Sequence, residues 1–159
     1  MLREIQMIEI REIQNGKGEV CNIVLRSLPK WFSIESAIVD YVKDVETMPT
    51  LVADIDGQKN SAFLSLNFHN EFNAEIHVMG VLPHFHGKGL GKALVKEAER
   101  LARSSGRKFL SVKTLSASRP NAEYDLTRKF YLSAGFLPLE EFKTLWGEAN
   151  PCLLMIKTV

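Results

Sequence analysis

The segment order predicts an α+β domain, a mixed and mostly antiparallel sheet of about seven strands with helices on both faces. Three observations predict it. An apolar/polar alternation of period two opens the chain, and two helical patterns follow it before the next strand. A pair of strand-like runs then flanks Asp56-Gly57, a hairpin signature. Finally a strand, a glycine-rich turn, a helix and another strand follow in that order, a unit that demands a parallel pair.

Each element rests on its own pattern. Ile8 and Ile10 alternate with Glu9 and Arg11, giving the first strand. "GEVCNIVLRSLPKWF" and "SIESAIVDYVKDVETM" read as helices, and in the second Ile34, Ala37, Ile38, Tyr41, Val42 and Val45 form one apolar face. "TLVADI" and "SAFLSLNF" are the hairpin strands, "NAEIHVMGVL" the fourth and "KFLSVKTL" the fifth. Gly106 is placed to cap the helix before the fifth strand, and Gly135 stops a shorter helix around "YDLTRKFYLSA". Two last strands, in "FLPLEEFKTL" and "PCLLMIK", meet at "GEANP".

With 159 residues and 18.0 kDa the chain has the length of one domain, residues 1–159, able to bury a real core. Hydrophobic residues make up 45% and charged residues 25%, which excludes a disordered or fibrous chain. A net charge of +1 supplies no field for nucleic acid or an anionic membrane, so neither is expected as a partner. The N-terminus "MLREIQMIEIREI" has neither an apolar signal core nor the acid-poor character of a transit sequence. Cys21 and Cys152 stand alone and far apart, which fits buried thiols in a reducing cytoplasm. His84 and His86 are spaced H-x-H, but no Cys, Asp or Glu joins them at ligand spacing, so no metal is expected.

The stretch "VLPHFHGKGLGKALV" carries the chemistry. A glycine-rich turn into a helix presents orphan N–H groups and a partial positive charge, a natural phosphate cradle. The dinucleotide fingerprint would need glycine where Lys92 stands. A P-loop would need glycine at His86 and Ser or Thr at Ala93. The tight turn alone is the plainer reading of the glycines.

"HGKGLGKALV" resembles the R/Q-x-x-G-x-G/A motif of the GCN5-related N-acetyltransferase (GNAT) family, with His86 in place of the usual Arg or Gln. "AEIHVMGV" is similar to the family's fourth strand, and "RKFYLSAGF" to its helix-turn signature. The likeness spans Ala74 to Phe136 with the three segments in order, and it implies a GNAT-like sheet splayed between strands four and five.

The resemblance implies that the cosubstrate acetyl-CoA is held by Val81, His86, Gly87, Lys88, Gly89, Leu90, Gly91 and Lys92, the amides gripping its pyrophosphate. It implies Glu75 as the base, the Val81 N–H as oxyanion donor and Tyr131 as the acid that protonates the departing thiolate. His77, two residues from Glu75 on the same strand face, is a rival base or relay. Tyr131 can also be read as helix packing. Neither cysteine lies in a nucleophile motif, so direct transfer in a ternary complex is expected.

The resemblance implies that acceptor selectivity lies in the N-terminal helices and the loop before Tyr124. Trp31, Phe32, Tyr41 and Tyr124 could wall an amine pocket and Asp40, Asp44, Glu46 and Asp125 attract a cation, although core packing and solvated surface are the commoner fates of such residues. The expected function is transfer of acetyl to a primary amine, of a small molecule first. A non-catalytic acyl-CoA sensor and a peptide or protein N-acetyltransferase are the alternatives. A homodimer stays open.

Overall fold

The computed structural model describes residues 5–159. In chain order the elements are β1 (Ile8–Ile13), α1 (Lys17–Arg26), α2 (Glu35–Asp44), β2 (Thr50–Ile55), β3 (Gln58–Phe68), β4 (Asn73–Val81), α3 (Leu90–Ser104), β5 (Phe109–Leu115), α4 (Ala122–Ser133), β6 (Leu137–Phe142) and β7 (Cys152–Thr158). Single 3-10 turns at Val45–Thr47 and Pro83–Phe85 precede β2 and α3. This is the order that the residue patterns predict.

The strands form one seven-stranded sheet in the order β1-β2-β3-β4-β5-β7-β6. The β1–β2, β2–β3, β5–β7 and β6–β7 pairings are antiparallel, and β4–β5 is parallel. Asp56 and Gly57 turn the β2–β3 hairpin with φ of 50° and 79°, the positive values a two-residue type I′ turn needs. β7 inserts between β5 and β6, so β6 is an edge. That explains why Leu137 and Leu139 are exposed while Cys152 and Met155 are buried.

Pairing of β4 with β5 is short. It joins Asn73–Ile76 to Phe109–Val112 and ends there, although β4 runs on to Val81 and β5 to Leu115. The sheet is therefore open where the sequence places the splay. In the part of β5 that β4 does not pair, Thr114 buries a hydroxyl that has no partner among the described residues.

Two compact units make up the fold. One holds the described residues up to Leu66 together with Val78–Ala98, the other Asn67–His77 with Glu99–Val159. The core of the first is built by Val20, Cys21, Val24 and Leu25 of α1, with Leu28, Ile38, Val45, Val52, Phe63 and Val78. Trp31, Phe32 and Tyr41 pack against this cluster, so these three aromatics are spent on the core. In α3, Leu90, Leu94, Val95, Ala98 and Ala102 are buried at helical spacing, one apolar stripe on an otherwise charged helix.

Glycine caps end α3 and α4 in the same way. Gly106 has φ 82°, with its N–H on Arg103 O and the Arg107 N–H on Ala102 O. Gly135 has φ 95°, with its N–H on Leu132 O and the Phe136 N–H on Tyr131 O. Both are Schellman motifs, and in the second the apolar contact across the cap is Tyr131 against Phe136, edge to face at 5.6 Å.

Candidate functional site

The glycine-rich turn lies wholly in the first unit. Gly87 and Gly89 have φ of 75° and 89°, so left-handed backbone demands glycine at both. A Cβ at Gly87 would meet nothing within 4 Å, and at Gly89 only the Ile8 side chain at 4.0 Å. Among the described residues, nothing therefore crowds the side-chain positions of these two glycines. The Ala93 N–H bonds Gly89 O at 3.0 Å, so the Leu90, Gly91 and Lys92 amides precede the helical ladder and are its orphan donors. Lys88 and Lys92 are exposed beside them. Orphan helix N–H groups beside two exposed ammonium groups are the donors and charge that an anion requires.

His86 does not reach out from the turn. Its Nε2 lies 2.7 Å from Val81 O, and its ring stands edge-on to Trp31 at 6.0 Å. The imidazole is a clasp between the end of β4 and the loop. Hydrogen-bonded to Val81 in this way, it replaces the long cation of the family motif with a local strut. Val81 itself ends β4, half-buried, and the next residue continues the pairing direction through the Leu82 N–H to Ser61 O, 3.0 Å.

Gly80 has a different reason from its neighbours. A Cβ there would stand 2.8 Å from Val24 Cγ1 and 3.1 Å from Leu28 Cδ1, so the missing side chain is what lets α1 lie against β4.

Glu75 and Tyr131 belong to the second unit. Glu75 is buried, 6% exposed, with both oxygens engaged: Oε2 accepts from Lys113 Nζ at 2.8 Å and Oε1 lies 3.2 Å from His69 Nε2. His77, the rival base, is half-buried on the same strand. Tyr131 is 6% exposed, tilted on Phe130 at 5.3 Å as well as meeting Phe136. His69 and Lys113 are the residues that sequence reasoning missed. They lie 6 and 38 positions from Glu75, and no local pattern links them to it.

Of the proposed cationic-amine attractors, two carboxylates are already committed. Glu46 accepts from the Gly18 N–H at 2.8 Å, and Asp125 pairs with the Arg128 guanidinium, which also donates to Leu115 O at 2.5 Å. Cys21 and Cys152 are both fully buried, and burial pushes their thiols up to about 12 and about 11. Neither is a thiolate at neutral pH.

The profile of the acetyltransferase (GNAT) family matches residues 18–136. The chain belongs to that family. No curated protein matches this GNAT chain by sequence. Among solved structures it is similar to a GNAT-family protein from Desulfovibrio desulfuricans, at 18% identity and a TM-score of 0.80 over 96% of this chain and 99% of the other. It is also similar to an aminoglycoside 6′-N-acetyltransferase complexed with coenzyme A, at 17% identity and TM-score 0.74 over 94% and 96%. A third is a GNAT-family acetyltransferase from Elizabethkingia anophelis with acetyl-CoA bound, at 16% identity and TM-score 0.73 over 96% and 98%. These likenesses establish the GNAT fold across nearly the whole length. The family match brackets β4, the glycine turn, α3 and the Gly135 cap, all three segments that carry the resemblance.

Proposed function

We propose that the chain is an acetyl-CoA-dependent N-acetyltransferase that acts on the primary amine of a small molecule by direct transfer in a ternary complex. The carrying observation is the left-handed Gly87 and Gly89 leading into the head of α3, where among the described residues an added Cβ would meet nothing nearer than 4.0 Å. The amides of Gly87, Lys88, Gly89, Leu90, Gly91 and Lys92 would grip the pyrophosphate, with the Lys88 and Lys92 ammonium groups adding charge. When bound, acetyl-CoA supplies an activated thioester.

The chain supplies the rest. The Val81 N–H donates to the oxygen on which negative charge develops. Tyr131 gives its phenolic proton to the departing sulfur; a phenol, ordinarily near pKa 10, keeps its proton beside a thiol of about 8.5. The proton of the acceptor ammonium leaves through the centre built around Glu75, with His77 on the same strand. Two buried, protonated cysteines support transfer without an acetyl-cysteine stage. A small-molecule acceptor is supported by the aminoglycoside-modifying neighbour. Among the described residues no helix is long and apolar enough to cross a membrane, which agrees with action in the cytoplasm.

The committed state of Glu75 favours one second reading, a non-catalytic acyl-CoA sensor, because its carboxylate is already paired. One experiment separates the two. Binding of acetyl-CoA is measured by calorimetry, and release of free CoA thiol is followed with polyamines, amino acids, aminoglycosides and short peptides. Amine-dependent thiol release establishes the enzyme, and a peptide-only response moves the acceptor to proteins. Binding without release in any well establishes the sensor. Gly89→Val, which forces a β-branched residue into φ 89°, abolishes binding if the turn is the cradle.

A further inference from the structure

We propose that His69 is the group that takes the proton from the acceptor ammonium, with Glu75 the buried carboxylate that orients it and Lys113 the ammonium paired with Glu75. The inference rests on the acyl-transfer reading and assigns its base at the level of atoms.

Glu75 cannot easily be that base itself. Its carboxylate is 6% exposed and accepts from Lys113 Nζ at 2.8 Å, so protonating it would leave a partly buried ammonium without its counter-ion. An ion-paired carboxylate offers only acceptors. The hydrogen in the 3.2 Å contact between Oε1 and His69 Nε2 therefore belongs to the imidazole, and Nδ1 keeps the lone pair. The His69 side chain is 40% exposed where the chain leaves β3, so the free nitrogen sits on the member of the pair that an incoming ammonium can meet. Buried carboxylate, oriented imidazole and accessible second nitrogen are the division of labour that acyl-transfer sites use to make histidine a base.

The charged groups around the pair come from each neighbouring element. Glu75 stands on β4 and Lys113 on β5. The Cys152 thiol of β7 feels both of them. Arg107, between α3 and β5, lies over the Phe68 ring at 4.6 Å and donates to Asn70 O at 3.1 Å, on either side of His69 in sequence.

The protons balance as follows. His69 Nδ1 takes one proton from R–NH3+ and becomes imidazolium. The freed lone pair forms the C–N bond at the acetyl carbon, and the C–S bond breaks with its electrons going to sulfur. The sulfur takes a proton from Tyr131, which recovers one as the amide nitrogen sheds its second. His69 then returns its proton to solvent, so each turnover releases one proton.

The test compares wild type, His69→Gln and Glu75→Gln with the amine that gives the strongest thiol release. The readouts are kcat/KM against pH, acetyl-CoA affinity, and the 15N–1H imidazole resonances, with those of His69 identified by their loss in His69→Gln. We expect His69→Gln to lose about 10²- to 10⁴-fold in kcat/KM together with the acid limb of the profile, at unchanged acetyl-CoA affinity. The wild-type His69 ring should carry its hydrogen on Nε2 and become a tautomer mixture in Glu75→Gln. Added imidazole should restore part of the rate to His69→Gly. Wild-type kcat/KM in His69→Gln, with turnover abolished in Glu75→Gln, would return the role to Glu75. A hydrogen on Nδ1 would overturn the pairing whatever the rates. Thiol release by wild type keeps the acyl-transfer reading intact in either case, whereas its absence with every amine removes both.

Discussion

The His86 imidazole is hydrogen-bonded to the Val81 carbonyl, which ties the glycine turn to the end of β4 at the residue whose N–H is proposed to face the reacting oxygen. An exposed bond of this kind contributes about 0.5–1.5 kcal/mol. His86→Ala should therefore weaken acetyl-CoA binding by roughly 2- to 12-fold through loop order alone. The salt dependence of binding separates this from phosphate contact. Lys88→Ala and Lys92→Ala should flatten it, and His86→Ala should leave its slope unchanged. Calorimetric titrations between low and high salt read the difference.

Tyr131 has two roles that one substitution can pull apart. Its ring closes the apolar contact of the Gly135 cap, and its hydroxyl is the proposed acid. Tyr131→Phe keeps the ring and should lower kcat by about 10²-fold or more with little change in KM or melting temperature. Tyr131→Ala should melt earlier whatever it does to the rate, because a buried ring is lost. An unchanged kcat in Tyr131→Phe would reduce the residue to packing.

The element order was legible because each segment carries its own signal: the alternation of Ile8 and Ile10, the Asp56-Gly57 turn, and the caps at Gly106 and Gly135. Lateral order was harder. Nothing local to "FLPLEEF" or "PCLLMIK" says that β7 lies inside β6, although the unbroken apolar run of the second is the mark of a strand flanked on both sides. The glycine turn was legible for its conformation, whereas Gly80 is explained only by the approach of Val24 of α1 and Leu28 just beyond that helix, more than fifty residues earlier. Glu75 could be found from its motif. Its partners could not, because His69 reaches it from the β3–β4 connection and Lys113 from the neighbouring strand β5, and no motif encodes either approach.

Gly80 gives a prediction about stability alone. Val24 is fully buried and β-branched, so it cannot swing away from a methyl group placed 2.8 Å from its Cγ1. Gly80→Ala should cost about 1–3 kcal/mol by overpacking. Coupled Val24→Ala should recover part of that loss, since removing Cγ1 removes the clash. A double-mutant cycle in urea reads the coupling, and strict additivity would show that α1 does not press on β4 there.

Asp54 sets the acid limit of the first unit. Its side chain is 3% exposed, and burial works against its charged form. Hydrogen bonds from Arg11 at 2.9 Å, the Asn60 N–H at 2.8 Å and Lys59 at 3.2 Å outweigh that burial, and its pKa is lowered. A carboxyl with a folded pKa below its unfolded value of about 3.9 binds fewer protons when folded, so its stabilisation is complete above that value. It is lost as the pH falls through the lower, folded value. The raised pKa of Arg11, due first to its bond with Asp54, lies far above this window and adds no slope to it. Asp54→Asn should therefore cost about 1–3 kcal/mol at pH 7. The gap between wild type and variant should hold down to about pH 4 and then close on further acidification. Urea denaturation from pH 7 to pH 2.5 measures it, and a constant gap across that range would show that the carboxylate charge is not what the Arg11–Asp54–Asn60 cluster uses.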